Sequence, residues 1–322
     1  YGNNFIIVHM FCFVNIFPIF ESKPYFNDKI IIMQIREIQA KTILSTVPQP
    51  DPIFGLKYNL NLYRGCQHQC IYCDSRSECY QIEDFNHEVL VKANALELLD
   101  QELRRKRVKG IIGTGSMNDP YMPLEAERHL TRGALGLIAR YGFGVHVLTK
   151  STLVLRELDL LQNISQAYAA VTFTITTADD ALSRQLEPGA PPSSERFAAI
   201  RQLASQGLYT GVSLMPVLPF LEDTPENITA IVHQAAEAGA QYIIPWISVT
   251  LRNRQRDYYY QQLDRLFPGL RQHYERAYGD AYHCEPPQAH RLYTLLKETC
   301  AQVGLDTAIK PYQPPPAQPT LF

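Results

Sequence analysis

Tyr63-Arg64-Gly65-Cys66-Gln67-His68-Gln69-Cys70-Ile71-Tyr72-Cys73 places three thiols within eight residues, in the spacing CxxxCxxC, directly after a strand-like segment. Thiolates bind iron–sulfur clusters tightly, and three spaced this closely can hold three irons of a cubane while leaving the fourth without a protein ligand. An open iron can bind a substrate or a cofactor. Structural zinc is the competing reading, but it takes four protein ligands, usually as two pairs joined by a longer loop. The chain has no second pair: Cys12, Cys284 and Cys300 stand singly, and Cys79 and His68 would have to be recruited. A disulfide framework belongs to small secreted domains rather than to a chain of 322 residues.

Outward from this loop, from about residue 56 onward, strand-type and helix-type periodicities alternate, the mark of an α/β fold with a parallel sheet. The candidate strands are Tyr58 to Leu62, Gly110 to Thr114, Val145 to Thr149, Ala170 to Thr176, Thr210 to Met215 and Tyr242 to Val249. Between them run apolar stripes at spacings of three and four: Leu96, Leu99 and Leu103; Leu130, Ala134, Leu137 and Ile138; Phe197, Ile200 and Leu203; Ile228, Ile231, Val232 and Ala235. Helix starts are expected at Ser151-Thr152, Ser193-Ser194 and Thr224-Pro225. The count supports a barrel-like sheet, short of a full eight strands. In such barrels the chemistry sits at the C-terminal ends of the strands.

Those ends carry polar groups. Gly113-Thr114-Gly115-Ser116-Met117-Asn118-Asp119-Pro120-Tyr121-Met122-Pro123 follows the second strand, with glycines that permit close backbone approach to a ligand and Asp119 able to accept from an ammonium or hydroxyl. Lys150, after the third strand, suits a carboxylate, and Thr172, Thr174 and Thr176 share one face by alternation. Plainer roles exist for each: a helix cap for Ser151, a surface ammonium for Lys150, β-propensity for the threonines.

A formal charge of −2 gives no global basic field, so nucleic-acid binding has to rest on local patches. Residues 251 to 278 interleave arginine and tyrosine, either as a surface for phosphates and bases or as two amphipathic helices broken at Pro268-Gly269. Residues 1–32 lack Ala, Leu, Arg and Gln and read as upstream sequence ahead of a start at Met33. Their apolar part is a poor signal peptide and short for a membrane span. Residues 33–55 form a lead-in, 56–250 the barrel core, 251–310 a helical C-terminal extension and 311–322 a proline-rich tail.

The cysteine loop, with aromatic Tyr72 just before its third cysteine, resembles the signature of the radical S-adenosylmethionine (SAM) enzymes. That resemblance implies an α/β partial (β/α)6 TIM-type barrel and a [4Fe-4S] cluster on Cys66, Cys70 and Cys73. The unligated iron would chelate SAM, and cleavage of SAM would give methionine and a 5′-deoxyadenosyl radical. It also implies an electron donor such as flavodoxin or ferredoxin. Within the superfamily, residues 56 to 310 are similar to the spore photoproduct lyase family through Asn118-Asp119-Pro120-Tyr121, Leu148-Thr149-Lys150-Ser151 and Leu186-Glu187-Pro188. By position this implies SAM contacts at Asn118, Asp119 and Thr174, a carboxylate partner in Lys150, and Tyr72 near the adenine. Two departures argue against the lyase reaction itself. In the lyase a cysteine of the loop after the second strand returns a hydrogen atom, whereas this chain has Ser116 or Met117 there. The lyase also has tyrosine directly after its third cysteine, where this chain has Asp74.

Three classes follow: a radical SAM enzyme acting on an unidentified substrate, DNA or RNA among the candidates; a non-catalytic iron–sulfur or zinc module binding DNA or a replication partner; and a redox relay. The ending Gln318-Pro319-Thr320-Leu321-Phe322 resembles the bacterial sliding-clamp-binding peptide. Reduced thiols imply the cytoplasm, and no membrane partner is expected. Cys79, Cys284 and Cys300 read as packed thiols.

Overall fold

The computed structural model describes residues 33–49 and 51–312. Segment 1–32, the tail from residue 313 and the clamp-like Gln318–Phe322 lie outside the described residues. The strands are β1 (Gln34–Ile38), β2 (Leu44–Thr46), β3 (Leu56–Leu60), β4 (Tyr63–Arg64), β5 (Glu88–Lys92), β6 (Ile111–Thr114), β7 (Gly144–Thr149), β8 (Ala169–Thr174), β9 (Tyr209–Leu214), β10 (Tyr242–Pro245), β11 (Val249–Thr250) and β12 (His283–Cys284). The larger helices are α1 (Ala95–Arg105), α2 (Glu125–Arg128), α3 (Leu130–Arg140), α4 (Leu158–Ile164), α5 (Asp180–Leu186), α6 (Ser193–Ser205), α7 (Pro225–Glu237), α8 (Asn253–Leu266), α9 (Leu270–Tyr278) and α10 (Ala289–Val303).

All six sequence-predicted strands are present, though the sixth stops at Pro245 and Val249 falls in β11, which pairs with β12 in a separate sheet. They lie in chain order, β3-β6-β7-β8-β9-β10, every neighbouring pair parallel, with β2 antiparallel on the outer edge of β3. This is the partial (β/α)6 barrel. Val145, Val147, Val171, Phe173, Val212 and Leu214 face the main core beneath the helices, while the alternating positions face inward, where His146 Nε2 meets Thr172 Oγ1 at 2.7 Å and Thr172 meets Tyr242 Oη at 2.5 Å.

The apolar stripes of α6 and α7 are buried as their spacing requires, and in α1 Leu99 and Leu103 are buried with Ala95 while Leu96 is only partly covered. In α3 the buried face is instead Thr131, Ala134, Leu135 and Ile138, with Leu130 and Leu137 only partly covered. The stripe is wide enough to be read a quarter-turn off. Thr224 Oγ1 caps α7 by accepting from Asn227 N, and Ser151 Oγ accepts from Leu153 N to start a 3-10 turn that leads into α4. Ser193 is no cap: Pro192 takes the flanking position, and Ser194 bonds the Asp180 carboxylate.

Beyond the sequence reading, β1, β5 and β4 form a second small sheet beside the cysteine loop, and α5 is capped by Asp179. The C-terminal extension breaks at Pro268-Gly269 as expected and then returns through α10, which packs on α7. Ile243 N donates to Asp306 O at 2.8 Å and Asp306 N to Gln241 O at 3.0 Å, so this segment pairs with the exposed edge of β10. An unpaired edge strand is thereby covered. No helix among the described residues is long and apolar enough to cross a membrane.

Beyond the end of β8, Thr176 Oγ1 donates to Glu222 Oε1 (2.6 Å) and Leu218 N to Glu222 Oε2 (2.8 Å). Burial pushes the Glu222 carboxyl up to about 8 despite these two bonds, with Glu187 and Asp223 adding to the rise. An unfolded glutamate ionises near about pH 4.3. Between that value and about 8 the folded chain holds a proton that the unfolded chain has lost, so stability falls as pH rises through this window. Glu222→Gln is expected to flatten the fall. Thermal midpoints of the two proteins at about pH 5 and pH 8 measure it, and equal slopes would remove Glu222 as the source.

Candidate active site at the cysteine loop

The loop from Gly65 to Cys73 has no regular structure of its own and is held by bonds from elsewhere. Ile71 N donates to Leu186 O at 2.9 Å, Leu124 N to Gln67 Oε1 at 2.6 Å, and Gly189 N to His68 O at 2.9 Å. Gly189 is needed for this approach, since a Cβ there would stand 2.2 Å from Gln67 O. Gln69, in left-handed backbone at φ 53°, reaches back to Cys66 O (2.9 Å) and Phe85 O (3.1 Å). Arg76 lies behind the loop, 4.5 Å from the Phe85 ring centre and 3.6 Å from that of Tyr258, with Nη2 bonded to Gln69 Oε1 at 2.8 Å.

The C-terminal extension supplies the outer wall. Arg254 Nε donates to Arg76 O (2.8 Å), its Nη2 to Ile82 O (2.5 Å), and Gln255 Nε2 to Tyr72 O (2.9 Å). Arg256 binds the carbonyls of Leu251, Gly279 and Ala281, and Tyr259 and Tyr274 are buried in a second core that contains Cys70, Ile71 and Tyr72. Much of the arginine–tyrosine run is therefore a clamp on the cysteine loop, and these arginines are engaged by backbone carbonyls rather than open to phosphates.

All nine sequence-predicted site residues, Cys66, Cys70, Cys73, Tyr72, Ser116, Asn118, Asp119, Lys150 and Thr174, line one cavity of about 400 Å³. Thr172 lies deeper in the barrel and Thr176 serves Glu222, so the three threonines do not act as one set. Gly115 lines the cavity and also admits backbone: at φ 93° its Cβ would stand 2.3 Å from Leu148 O. Cys284 and Cys300 are buried as expected. Cys79 is exposed, its Sγ 3.2 Å from Arg252 Nη1, because the short turn that carries it faces outward.

Asp119 accepts from Thr149 Oγ1 (2.7 Å), Lys150 N (2.6 Å) and Tyr121 N (2.9 Å). His68 Nδ1 is 3.3 Å from Asp119 Oδ2 but off-angle for a hydrogen bond. Burial opposes the Asp119 charge, yet His68 and these bonds bring the carboxyl down to about 2. Lys150 is no surface ammonium: burial works against its charge, and the Cys70 sulfur and Glu187, whose Oε1 is 3.8 Å from Nζ, hold its pKa above the ordinary value. Glu187 also accepts from Tyr72 Oη and lies 2.5 Å from Arg196 Nη2. The sequence reading missed this ion group, although Leu186-Glu187-Pro188 marks its centre. Trp246, Ser248 and Tyr282, which also line the cavity, come from segments too short and irregular for periodicity to flag, while Gln255 joins them from the first turn of α8.

Burial, and then Asp119, pushes the Cys66 thiol up to about 12; burial likewise raises Cys70 against the pull of Lys150. Two buried thiols and the half-buried Cys73 release their protons to solvent when a metal cluster binds them as thiolates. The residues fit an iron–sulfur cluster with a polar ligand beside it. The thiols are free, they open on the same cavity, and Asn118 Oδ1, buried at the cavity wall, has no donor. Among the described residues no three His, Cys, Asp or Glu side chains converge on one point as a single zinc would require.

The model of the Radical SAM superfamily matches residues 60–239, and the chain belongs to that superfamily. It is an enzyme of the radical SAM class, whose chemistry uses SAM and an iron–sulfur cluster. It is 30% identical over 299 residues to an uncharacterized protein of Mycobacterium tuberculosis strain H37Rv, covering 89% of this chain and 87% of that protein. It is 25% identical over 156 residues, 48% of this chain and 32% of the relative, to the radical SAM Nalpha-GlyT isomerase of Pseudomonas phage M6. A spore photoproduct lyase mutant with bound AdoMet and dinucleoside spore photoproduct shares the fold: TM-score 0.63, 16% identity, 84% of this chain and 80% of that chain.

Proposed function

We propose that Cys66, Cys70 and Cys73 hold a [4Fe-4S] cluster, that SAM lies between it and the ends of β6 to β8, and that the enzyme abstracts a hydrogen atom from a substrate at the cavity mouth. When bound, the pair supplies one-electron cleavage of SAM and with it attack on an unactivated C–H bond. The observation that carries this reading is the convergence of the three thiols with Asn118, Lys150 and Thr174 on one cavity.

The roles of this chain's own groups follow from their surroundings. Asn118 Oδ1 is a free acceptor for an ammonium, and Lys150 a buried cation for a carboxylate. Asp119, whose oxygens are engaged by Thr149, Lys150 N and Tyr121 N, positions that loop. Tyr72, fixed through Glu187, offers a ring beside Lys150 at 5.8 Å, near where the adenine would lie. Ser116 and Thr174 complete the wall. Ser116 Oγ donates to Asn61 Oδ1 at 3.2 Å, which leaves its lone pairs for a ligand.

The reaction differs from spore photoproduct repair, because Ser116 and Met117 line the cavity where that reaction needs a thiol, and an O–H bond is a far poorer hydrogen-atom donor than S–H. A nucleic acid stays a candidate substrate through its bases rather than its phosphates, since Arg254 and Arg256 are turned inward. The reading carries with it a flavodoxin- or ferredoxin-class electron donor and a reducing compartment, the cytoplasm, in keeping with free thiols at all six described cysteines.

Anaerobic reconstitution followed by SAM and a reductant tests the assignment. Formation of 5′-deoxyadenosine by protein that carries iron and sulfide is expected. Iron-free protein after careful refilling, or loaded protein that leaves SAM intact, would refute it.

A further inference from the structure

Among the described residues Trp246 and Tyr282 are the only exposed Phe, Tyr or Trp side chains, at 40% and 49% exposure, and both line the mouth of the same cavity. Their neighbours hold them there. Trp246 N donates to Leu214 O at 2.9 Å, and its ring lies 6.3 Å from that of His283 at an interplanar angle of 29°, so one face is backed by the imidazole. Tyr282 O accepts from Leu251 N at 2.8 Å, its hydroxyl accepts from Arg252 Nη2 at 2.9 Å, and the guanidinium lies 5.1 Å from its ring centre. The antiparallel pair of β11 and β12, Val249 opposite Cys284, ties the two segments together, and Ser248 Oγ meets His283 Nε2 at 2.7 Å.

Two rings fixed by the backbone and left open to solvent form a ready stacking surface, because their conformational entropy is already low. Their edges are polar through Arg252 and Ser248. The cavity behind them, about 400 Å³, is near the lower end of the ~300–1,000 Å³ that one drug-sized ligand fills, so SAM leaves the substrate to bind at the rim.

We infer that Trp246 and Tyr282 form the substrate subsite and take a planar heterocycle of the nucleobase type, carried by a free nucleoside or an unpaired nucleotide. This rests on the cavity being the active site proposed above. The ring is read by stacking, which tolerates any base.

Trp246 is the chain's single tryptophan, so its fluorescence reports on the subsite alone. Reconstituted protein saturated with SAM, without reductant, would be titrated with thymidine, with oligothymidylate, with ring-free deoxyribose 5-phosphate and with N-acetyltyrosinamide. Saturable quenching by thymidine or the oligonucleotide is expected, and the tighter of the two names the source of the ring. Tyr282→Ala should weaken binding about tenfold or more, Tyr282→Phe should retain it, and Trp246→Ala, followed by calorimetry, should behave as Tyr282→Ala. No saturable quenching by either base-bearing probe, equal quenching by deoxyribose 5-phosphate, or tighter binding of N-acetyltyrosinamide would overturn the subsite. If 5′-deoxyadenosine still forms in that case, the radical SAM assignment stands and only the subsite fails. Quenching without SAM cleavage once reductant is added is the reverse.

Discussion

Cys70→Ala is expected to lose both cluster and SAM cleavage while keeping the fold. Cys70 is buried against Ile71 and Tyr72 in the core shared with the C-terminal extension, and its sulfur faces Lys150. Alanine is smaller and apolar, so packing suffers little. Two remaining thiolates hold a cubane poorly. Removing even a group that only orients a metal ligand costs about 10–100-fold, so loss of a ligand should lower 5′-deoxyadenosine formation by at least about a hundredfold. Iron and sulfide analysis after reconstitution, with circular dichroism melting as the fold control, separates the two effects. Full cleavage by a well-folded Cys70→Ala protein would contradict the ligand assignment.

Glu187→Ala should be the most damaging single change to stability near the site. Its carboxylate faces Arg196, which is fully buried, and Lys150, whose side chain is 17% exposed, and it accepts from Tyr72. Burial alone would raise the carboxyl; Arg196 and Lys150 reverse this and hold it below the ordinary glutamate range. Its removal leaves the fully buried Arg196 without its carboxylate and Lys150 with one partner fewer, a change that costs about 3–5 kcal/mol in comparable buried pairs. For a chain of this size that is a fall in thermal midpoint of roughly 10 °C. Tyr72 is released as well, so SAM affinity should fall with stability. Calorimetric melting of the two proteins decides: a midpoint within about 2 °C of the parent, less than about 1 kcal/mol, would show that the cations find other partners.

The parallel strands were readable because each is a local pattern. Val145 and Val147, or Val171 and Phe173, alternate with inward residues, and strand order followed chain order with at least one helix in each crossover. β1, β2, β4 and β5 escaped, because they lie outside the repeated strand–helix alternation and their pairing with segments more than ten residues away leaves no local trace. The cysteine loop was readable for a different reason, since three identical ligands in a fixed spacing need no fold to be recognised.

The arginine–tyrosine run shows the limit. From composition it suits phosphates and bases as well as a packed helix pair; only the positions of the carbonyls of Arg76, Ile82, Leu251 and Gly279 show that Arg254 and Arg256 face inward. Glu187 and Arg196 are nine residues apart, and neither has a local pattern that says they meet. Trp246 and Tyr282, thirty-six residues apart, become a pair because β11 and β12 bring their segments together.

The linear order of residues was enough to specify the barrel, the thiol triad and the identity of most groups around it, because periodicity and ligand spacing are properties of neighbours along the chain. Which charges become buried partners, which arginines serve as clamps and which aromatic rings are left facing solvent depended on folding, because burial and long-range hydrogen bonding arise only when distant segments pack.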